Sequence, residues 1–199
     1  MEISASLVKE LRGKTGVGVM DCKTALKECN GEIDQAVDFL RKKGIATAQK
    51  RGGRVTSEGQ VQAYIHPGGK IGVMVEVNCE TDFSGKSKDF TDFVKNVSMH
   101  IAAANPISID REGISSEVLT KEKEIYSTQA KDSGKPDKII DKIVEGKIKK
   151  YYSEVCLLEQ AYVKNPDITI MDLLNELMAK TGENVIIKRF TRFQLGEGD

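Results

Sequence analysis

The sequence lacks tryptophan, contains only two histidines and carries no excess of either charge. Its 30 lysines and arginines balance its 30 aspartates and glutamates, so the formal net charge is zero. Duplex-binding proteins usually show a basic excess on one face, so nucleic acid is not expected as the main ligand. The absence of a paired acid–base cluster at helical spacing also argues against hydrolytic or redox chemistry. The sequence therefore predicts a protein that is not an enzyme and needs no cofactor.

Long apolar runs and paired cysteine motifs are also missing. No segment approaches the ~18 consecutive apolar residues of a membrane-spanning helix, and the first residues do not resemble a signal peptide. The four cysteines, at positions 22, 29, 79 and 156, form no Cys-x-x-Cys motif. Such spacing is typical of a reducing compartment rather than of a disulfide framework or a metal site. We expect a cytoplasmic protein without membrane contact and without bound metal.

Three apolar stripes at helical spacing occupy residues 1–44 and predict a small three-helix domain. Ser4 can cap the first helix and Gly16 can end it. Gly31 follows an asparagine in a turn before the third helix, and Gly44 is expected to stop that helix. The three stripes consist of Leu7, Val8 and Leu11; of Cys22, Ala25, Leu26 and Cys29; and of Ile33, Ala36, Val37 and Leu40.

The rest of the chain predicts a hinge and a second, mixed domain. Residues 45–59 are small, basic and glycine-containing, which is typical of a linker. Residues 60–199 form the predicted core and dimerisation domain. It contains a β-hairpin at 60–78, which we expect to pair with a last strand at 184–195, and a helical hairpin at 115–151. The predicted fold class is α+β, with a small antiparallel sheet covered by helices.

Phe83 is the residue whose position the spacing does not settle. The alternating strand that ends near Asn78 runs directly into a polar turn, and Phe83 lies on that turn. Burying its ring is worth roughly 1.5–3 kcal/mol, so the ring is expected either in the protein's own core or in a partner. Spacing alone favours the core, because that is the commoner fate of an aromatic residue on a loop.

Four stretches in order resemble the signature segments of bacterial translation elongation factor Ts, the nucleotide exchange factor family for elongation factor Tu. They span nearly the whole chain. They are 5–12 with 15–23 (ASLVKELR, TGVGVMDCK), 78–83 (NCETDF), 133–136 with 143–147 (SGKP, IVEGK) and 180–185 (KTGENV). The resemblance implies a three-helix, ubiquitin-associated-like domain at the N-terminus and a projecting coiled coil at the helical hairpin.

The resemblance assigns the turn a role as a magnesium-dislocating loop, formed by Thr81, Asp82, Phe83 and Ser84. It implies that the Phe83 ring enters an apolar crevice of the GTPase and displaces the elements that position the bound magnesium. Asp82 is expected to fix the loop by accepting backbone hydrogen bonds, and Thr81 to cap the turn. The family usually has valine where this chain has Ser84, which implies less apolar contact behind the ring.

Further partner contacts follow from the resemblance alone. The N-terminal domain is expected to hold the GTPase domain, and Val19 departs from the methionine that is frequent at its position. His100 has two interpretations, a packed core histidine or a partner contact. The candidate partner-binding residues are Arg12, Val19, Met20, Lys23, Cys79 and His100.

The chain resembles the short form of the family, for which a homodimer could supply the missing surface. Phe190 and Phe193 are candidate dimer contacts, and ordinary core packing is the alternative. Two other functions remain open at this point. One is a protein-interaction module without exchange activity, bound to ubiquitin-like or ribosomal partners. The other is a ribosome-bound RNA-binding protein, which would require the basic excess that the sequence lacks.

Overall fold

A computed structural model describes residues 3–51 and 53–197, without the side chains of residues 45 and 47–51. The described part is mixed helix and sheet, which confirms the predicted α+β class. Its helices are α1 (Ala5–Thr15), α2 (Val19–Glu28), α3 (Ile33–Arg51), α4 (Asp82–Gly85), α5 (Lys88–Ala104), α6 (Ser116–Asp132), α7 (Asp137–Val155) and α8 (Ile170–Thr181). Its strands are β1 (Glu58–Ile65), β2 (Ile71–Cys79), β3 (Ala161–Tyr162), β4 (Asn165–Thr169) and β5 (Val185–Gln194).

The chain divides into two compact units, and the division does not fall near residue 44. The first unit joins the N-terminal helices to the segment around α4 and to most of α8. It contains residues 1–61, 76–94 and 172–188. The second unit contains residues 62–75, 95–171 and 189–199.

The ends of the first two helices follow the sequence closely. Ser4 caps α1, because its hydroxyl accepts the backbone N–H of Leu7 at 3.3 Å. Gly16 ends α1 in the left-handed region, with φ of 68°. The turn before α3 uses the same region at Asn30 and Gly31, whose φ angles are 51° and 87°. The predicted caps and turn are confirmed.

The third helix does not stop at Gly44, because α3 continues to Arg51. Residues 46–51 include two alanines, a glutamine and two basic residues, all good helix formers, and one glycine costs a helix only about 1 kcal/mol. Gly44 instead allows a close approach, since a Cβ at this position would lie 3.2 Å from Cβ of Ala179 in α8. An ion pair between Arg41 and Asp172 at 3.1 Å also joins α3 to α8. The first part of the predicted linker at 45–59, up to Arg51, is therefore helix.

The main sheet has the strand order β1-β2-β5, so the predicted pairing of the last strand with the hairpin is confirmed. On β2 the buried side chains are Val73, Val75, Val77 and Cys79. On β1 the pattern is reversed from what apolar alternation suggests. Val61 and Ile65 are 63% and 66% exposed, and the half-buried positions are polar or aromatic ones such as Gln60 and Tyr64.

A second, two-stranded sheet was not predicted. β3 and β4 pair antiparallel, with Ala161 opposite Thr169 and Tyr162 opposite Asn165. β3 has only two residues, and two residues cannot show a strand period.

The predicted helical hairpin is confirmed as α6 and α7, joined by residues 133–136. Across the pair, Lys147 donates to Gln129 at 2.6 Å and lies 5.2 Å from the centre of the Tyr126 ring. Burial is the main cause that raises the pKa of Tyr126 to about 12, and a hydrogen bond with Glu122 adds to it. Within the described residues, no helix combines the length and apolar character needed to cross a membrane.

Candidate functional site

The predicted loop is a single helical turn, α4, placed directly after the end of β2. Thr81 is its N-cap, with extended backbone and a hydroxyl that accepts the backbone N–H of Ser84 at 3.3 Å. This confirms the predicted capping by Thr81. Because β2 is buried along one face, the turn begins from a strand whose position the core fixes.

Phe83 points away from the protein, with 83% of its surface exposed. The interpretation that its ring packs into the chain's own core is therefore wrong. Because the ring stays exposed to water in the folded protein, it adds little hydrophobic stabilisation to folding. Its exposure leaves the full ring available to a partner.

Asp82 holds the turn mainly through a side-chain contact rather than through backbone groups. Its carboxylate accepts a hydrogen bond from the Lys86 ammonium at 2.7 Å. The hydrogen bond with Lys86 is the main cause that lowers the pKa of Asp82, and backbone N–H groups add smaller effects. Both side chains are exposed, so this pair contributes little to stability.

Cys79 lies inside the protein beneath the turn, and a direct partner contact does not fit this burial. Its thiol donates to the backbone carbonyl of Thr81 at 3.1 Å. Burial, and then the Glu183 carboxylate, raise the pKa of this thiol. Cys79 therefore stays a neutral hydrogen-bond donor that fastens the start of α4 to the end of β2.

Ser84 lies on the opposite side of the turn from Phe83 and is only 4% exposed. Its hydroxyl oxygen has no hydrogen-bond partner among the described residues. The departure from valine therefore does not act behind the exposed ring. It places an unsatisfied hydroxyl in the interior, which carries a desolvation cost of about 1–3 kcal/mol.

Replacing Ser84 by alanine is expected to raise the free energy of unfolding by about 1 kcal/mol, since it removes the buried, unpaired hydroxyl. Ser87 provides a matched control of opposite sign. Its hydroxyl accepts the backbone N–H of Phe90 at 3.2 Å at the start of α5, so Ser87→Ala is expected to cost about 1 kcal/mol. Urea unfolding of both variants measures the difference. A loss of stability in Ser84→Ala would contradict an unsatisfied hydroxyl.

Two residues at the loop were not predicted, Glu183 and Asn184. Glu183 accepts hydrogen bonds from Thr81, and the backbone N–H of Asn184 donates to Glu80 at 2.6 Å. Both residues belong to the fourth signature segment, but they lie more than one hundred positions from the loop. Local spacing carries no information about a contact of that range.

The N-terminal candidates share one surface, which we call the N-terminal patch: Arg12, Val19, Met20 and Lys23. Arg12, Val19 and Lys23 line a cavity of about 330 Å³ together with Ile3, Ala5, Val8 and Lys9. Met20 is 72% exposed and Val19 is 47% exposed. The patch thus combines two exposed apolar side chains with two basic ones, Arg12 and Lys23, and Lys9 lines the same cavity.

His100 is fully buried, which favours the packed core histidine over a partner contact. Its Nδ1 accepts the backbone N–H of Val163 at 3.3 Å, so the proton of the neutral ring is on Nε2. Nε2 then donates to Oε1 of Gln160 at 2.9 Å. Burial lowers the pKa of His100, and the Gln160 hydrogen bond opposes this shift.

No group of three or more histidine, cysteine, aspartate or glutamate side chains with the geometry of a metal site occurs in the part of the chain that the structure describes. The arrangement around α4 is instead a surface for contact. It exposes the ring of Phe83 on a turn that Thr81 caps. The thiol of Cys79 and the carboxylate of Glu183 are hydrogen-bonded to Thr81.

Comparison with known proteins gives a consistent result. A family model described as "Elongation factor TS" matches residues 27–197. The chain is 62% identical over 195 residues to elongation factor Ts of Desulfosudis oleivorans, covering 98% of each protein. It is 59% identical over 196 residues to elongation factor Ts of Desulfotalea psychrophila, covering 98% of this chain and 100% of that one. Elongation factor Ts of Caldanaerobacter subterraneus is 58% identical over 196 residues, covering 98% of each.

Proposed function

We propose, since the chain belongs to the elongation factor Ts family, that this translation elongation factor is a guanine nucleotide exchange factor for elongation factor Tu. The observation that carries the proposal is the exposure of Phe83, 83% of whose surface is open to solvent on a turn that is otherwise anchored. A single exposed apolar side chain is common on protein surfaces. What supports a partner for this ring is its place on a capped turn within the segment that resembles the family's signature loop, residues 78–83.

Exchange requires no covalent chemistry, and therefore no enzyme active site. It requires a protein that binds the nucleotide-free GTPase better than the nucleotide-bound one. By linkage, the factor by which this protein lowers nucleotide affinity is also the factor by which the nucleotide lowers the affinity for this protein. We assign most of the binding affinity to the N-terminal patch. We assign to Phe83 the preference for the nucleotide-free GTPase over the nucleotide-bound one.

In the proposed mechanism, the Phe83 ring enters an apolar crevice of the GTPase and displaces the elements that position its magnesium ion. Loss of that ion removes the charge compensation of the diphosphate, so GDP leaves and GTP can bind. The residues of this chain supply only the ring and a turn that holds the ring in its outward orientation. Thr81 caps the turn, and the Asp82–Lys86 pair lies at the side of it.

The experiment that tests the function is stopped-flow release of a fluorescent GDP from elongation factor Tu at increasing concentrations of this protein. Acceleration that saturates is the expected result. The plateau gives the maximum release rate, and the half-saturating concentration gives the affinity. A folded protein that leaves the release rate unchanged would overturn exchange and leave a binding module.

Changes in the N-terminal patch are expected to raise the half-saturating concentration and to leave the maximum rate unchanged. Met20→Asp places a charge where an exposed apolar side chain stands, and we expect affinity to fall at least tenfold, as for a truncated interface anchor. Val55→Asp is the matched control, since Val55 is 84% exposed on another part of the chain. A lower maximum rate with unchanged affinity would contradict the role of the patch.

We further propose a homodimer formed through an exposed sheet face. The N–H of His66 bonds to the carbonyl of Ile71, and the N–H of Leu195 bonds to the carbonyl of Lys70. Antiparallel ladder bonds join residues that lie opposite each other, so Ile65 and Phe193 lie on either side of Gly72. The exposed apolar side chains of this face are Ile65, Met74, Phe193 and Leu195.

Phe193→Glu is expected to shift the protein from dimer to monomer, because it places a charge in the centre of a desolvated interface. Sedimentation velocity across a range of concentrations measures the change. Phe190, the second candidate from the sequence, is only half-buried and less available. A wild-type protein that sediments as a monomer at every concentration would remove the dimer proposal.

A further inference from the structure

The segment that follows α8 reaches the loop that carries Phe83. Gly182 ends the helix with a φ of 75°, which lets the chain turn sharply. The next side chain, Glu183, then meets Thr81. Its Oε2 accepts the backbone N–H of Thr81 at 3.0 Å, and its Oε1 accepts the Thr81 hydroxyl at 2.6 Å. Both carboxylate oxygens of Glu183 are thus used on one residue.

These bonds determine the direction of the Thr81 hydroxyl. A hydroxyl has one proton to donate, and an ionised carboxylate can only accept. The Thr81 hydroxyl therefore donates its hydrogen bond to Glu183, and a lone pair of Thr81 Oγ1 remains to accept the backbone N–H of Ser84 at 3.3 Å. Charge-assisted hydrogen bonds of this kind are roughly twice as strong as neutral ones. Glu183 makes Thr81 an obligatory acceptor, and so an effective cap of α4.

The segment that carries Glu183 is itself held in place. Asn184 is 2% exposed, and its Nδ2 donates to the carbonyl of Arg54 at 3.0 Å. Its backbone N–H donates to the Glu80 carboxylate at 2.6 Å. Glu80 also pairs with Arg54 at 3.4 Å. The Glu183 carboxylate that bonds to Thr81 is therefore carried on a backbone segment that its neighbour Asn184 holds in place.

This arrangement sets the orientation of the Phe83 side chain. Its ring is exposed, so side-chain packing cannot set its direction, and the backbone of Thr81 to Ser84 must do so. Cys79 fixes the Thr81 carbonyl from below. Glu183 fixes the Thr81 N–H and hydroxyl from the side.

We propose that Glu183 is a positioning residue for nucleotide exchange, which acts through the Thr81 cap to hold Phe83 in its outward orientation. The proposal rests on the proposed exchange function. It assigns Glu183 no contact with the nucleotide or with magnesium.

The first test compares Glu183→Gln with Glu176→Gln in the GDP release assay. Glu176 lies on α8 and pairs with Lys180, so its substitution removes the same charge without touching the loop. We expect Glu183→Gln to lower the maximum release rate about tenfold, the worth of one charge-assisted hydrogen bond, with an unchanged half-saturating concentration. A raised half-saturating concentration with an unchanged maximum rate would overturn positioning, because it would indicate a partner contact.

The second test asks whether Glu183 acts through Phe83. In the Phe83→Ala background, Glu183→Gln is expected to have no further effect on the maximum rate, since there is no ring left to aim. Effects that simply multiply would overturn the proposal. Thr81→Val, which removes the hydroxyl that donates to Glu183, is expected to behave as Glu183→Gln.

The third test does not depend on exchange, so it separates failure of this proposal from failure of the proposed function. The chain has five tyrosines and no tryptophan, so Phe83→Trp introduces a single tryptophan at the tip of the turn, which can be excited at wavelengths that tyrosine does not absorb. Nanosecond anisotropy decay of the free protein then reports the motion of that side chain. We expect Glu183→Gln to enlarge the fast component and Glu176→Gln to leave it unchanged. An identical decay in both variants would overturn positioning whether or not the protein accelerates GDP release.

Discussion

Phe83→Ala is expected to slow the maximum rate of GDP release about a hundredfold while leaving the stability of the protein unchanged. Truncation of a buried aromatic contact costs ~3 kcal/mol, which corresponds to that factor in rate. In the free protein the ring is 83% exposed, so its loss removes no internal packing. The half-saturating concentration is expected to change little, because the N-terminal patch is intact.

The control for this variant is Val55→Ala, which truncates an equally exposed apolar side chain elsewhere on the chain. It is expected to leave both the maximum rate and the affinity at wild-type values. Stopped-flow release across a concentration series measures both quantities for each variant. A maximum rate in Phe83→Ala equal to that of wild type would keep the exchange function but move the mechanism to the N-terminal helices.

Gly59→Ala is expected to destabilise the protein by about 3 kcal/mol or more, a loss that overpacking and backbone strain together can produce. Gly59 has a φ of 142°, in a region that L side chains rarely adopt. A Cβ there would lie 2.1 Å from the carbonyl oxygen of Val77 and 2.7 Å from Cα of Asn78. Both contacts are with backbone, so no side chain can move aside.

Two other glycines separate the components of that loss. Gly68 has a φ of 96° with nothing within 4 Å of an added Cβ, so Gly68→Ala reports the dihedral cost alone. Gly53 has open space and no positive φ, so Gly53→Ala is expected to be neutral. Urea unfolding should rank the losses as Gly59, then Gly68, then Gly53. Equal losses for Gly59→Ala and Gly68→Ala would show that the steric contact with β2 relaxes.

Local sequence signals predicted much of the secondary structure because each depends on only a few neighbouring residues. Ser4 and Gly16 bound α1 as expected, and the strand after Gly182 joins the sheet. The end of α3 was missed, because the role of Gly44 depends on Ala179 in a distant helix. A glycine that permits close packing and a glycine that ends a helix look identical in one sequence.

The candidate site shows the same limit. The resemblance directed attention to Thr81–Ser84, yet spacing alone favoured a buried Phe83, and the structure exposes it. The inward direction of Ser84 depends on the helical geometry of α4, a four-residue element too short to show a period. The contact of Glu183 with Thr81 joins residues 102 positions apart, beyond any local signal.

The continuity of α3 through Gly44 has a consequence for the thermodynamics of association. The N-terminal patch and Phe83 belong to the same compact unit, and α3 lies directly against α8. Two contacts carried on one unit meet a partner at a high effective concentration, because the first contact already supplies the translational and orientational entropy of the second. In the proposed exchange mechanism, burial of Phe83 in the partner can then contribute almost its full free energy to the distortion of the GTPase. A flexible tether between the two contacts would lose part of that free energy to its own conformational entropy.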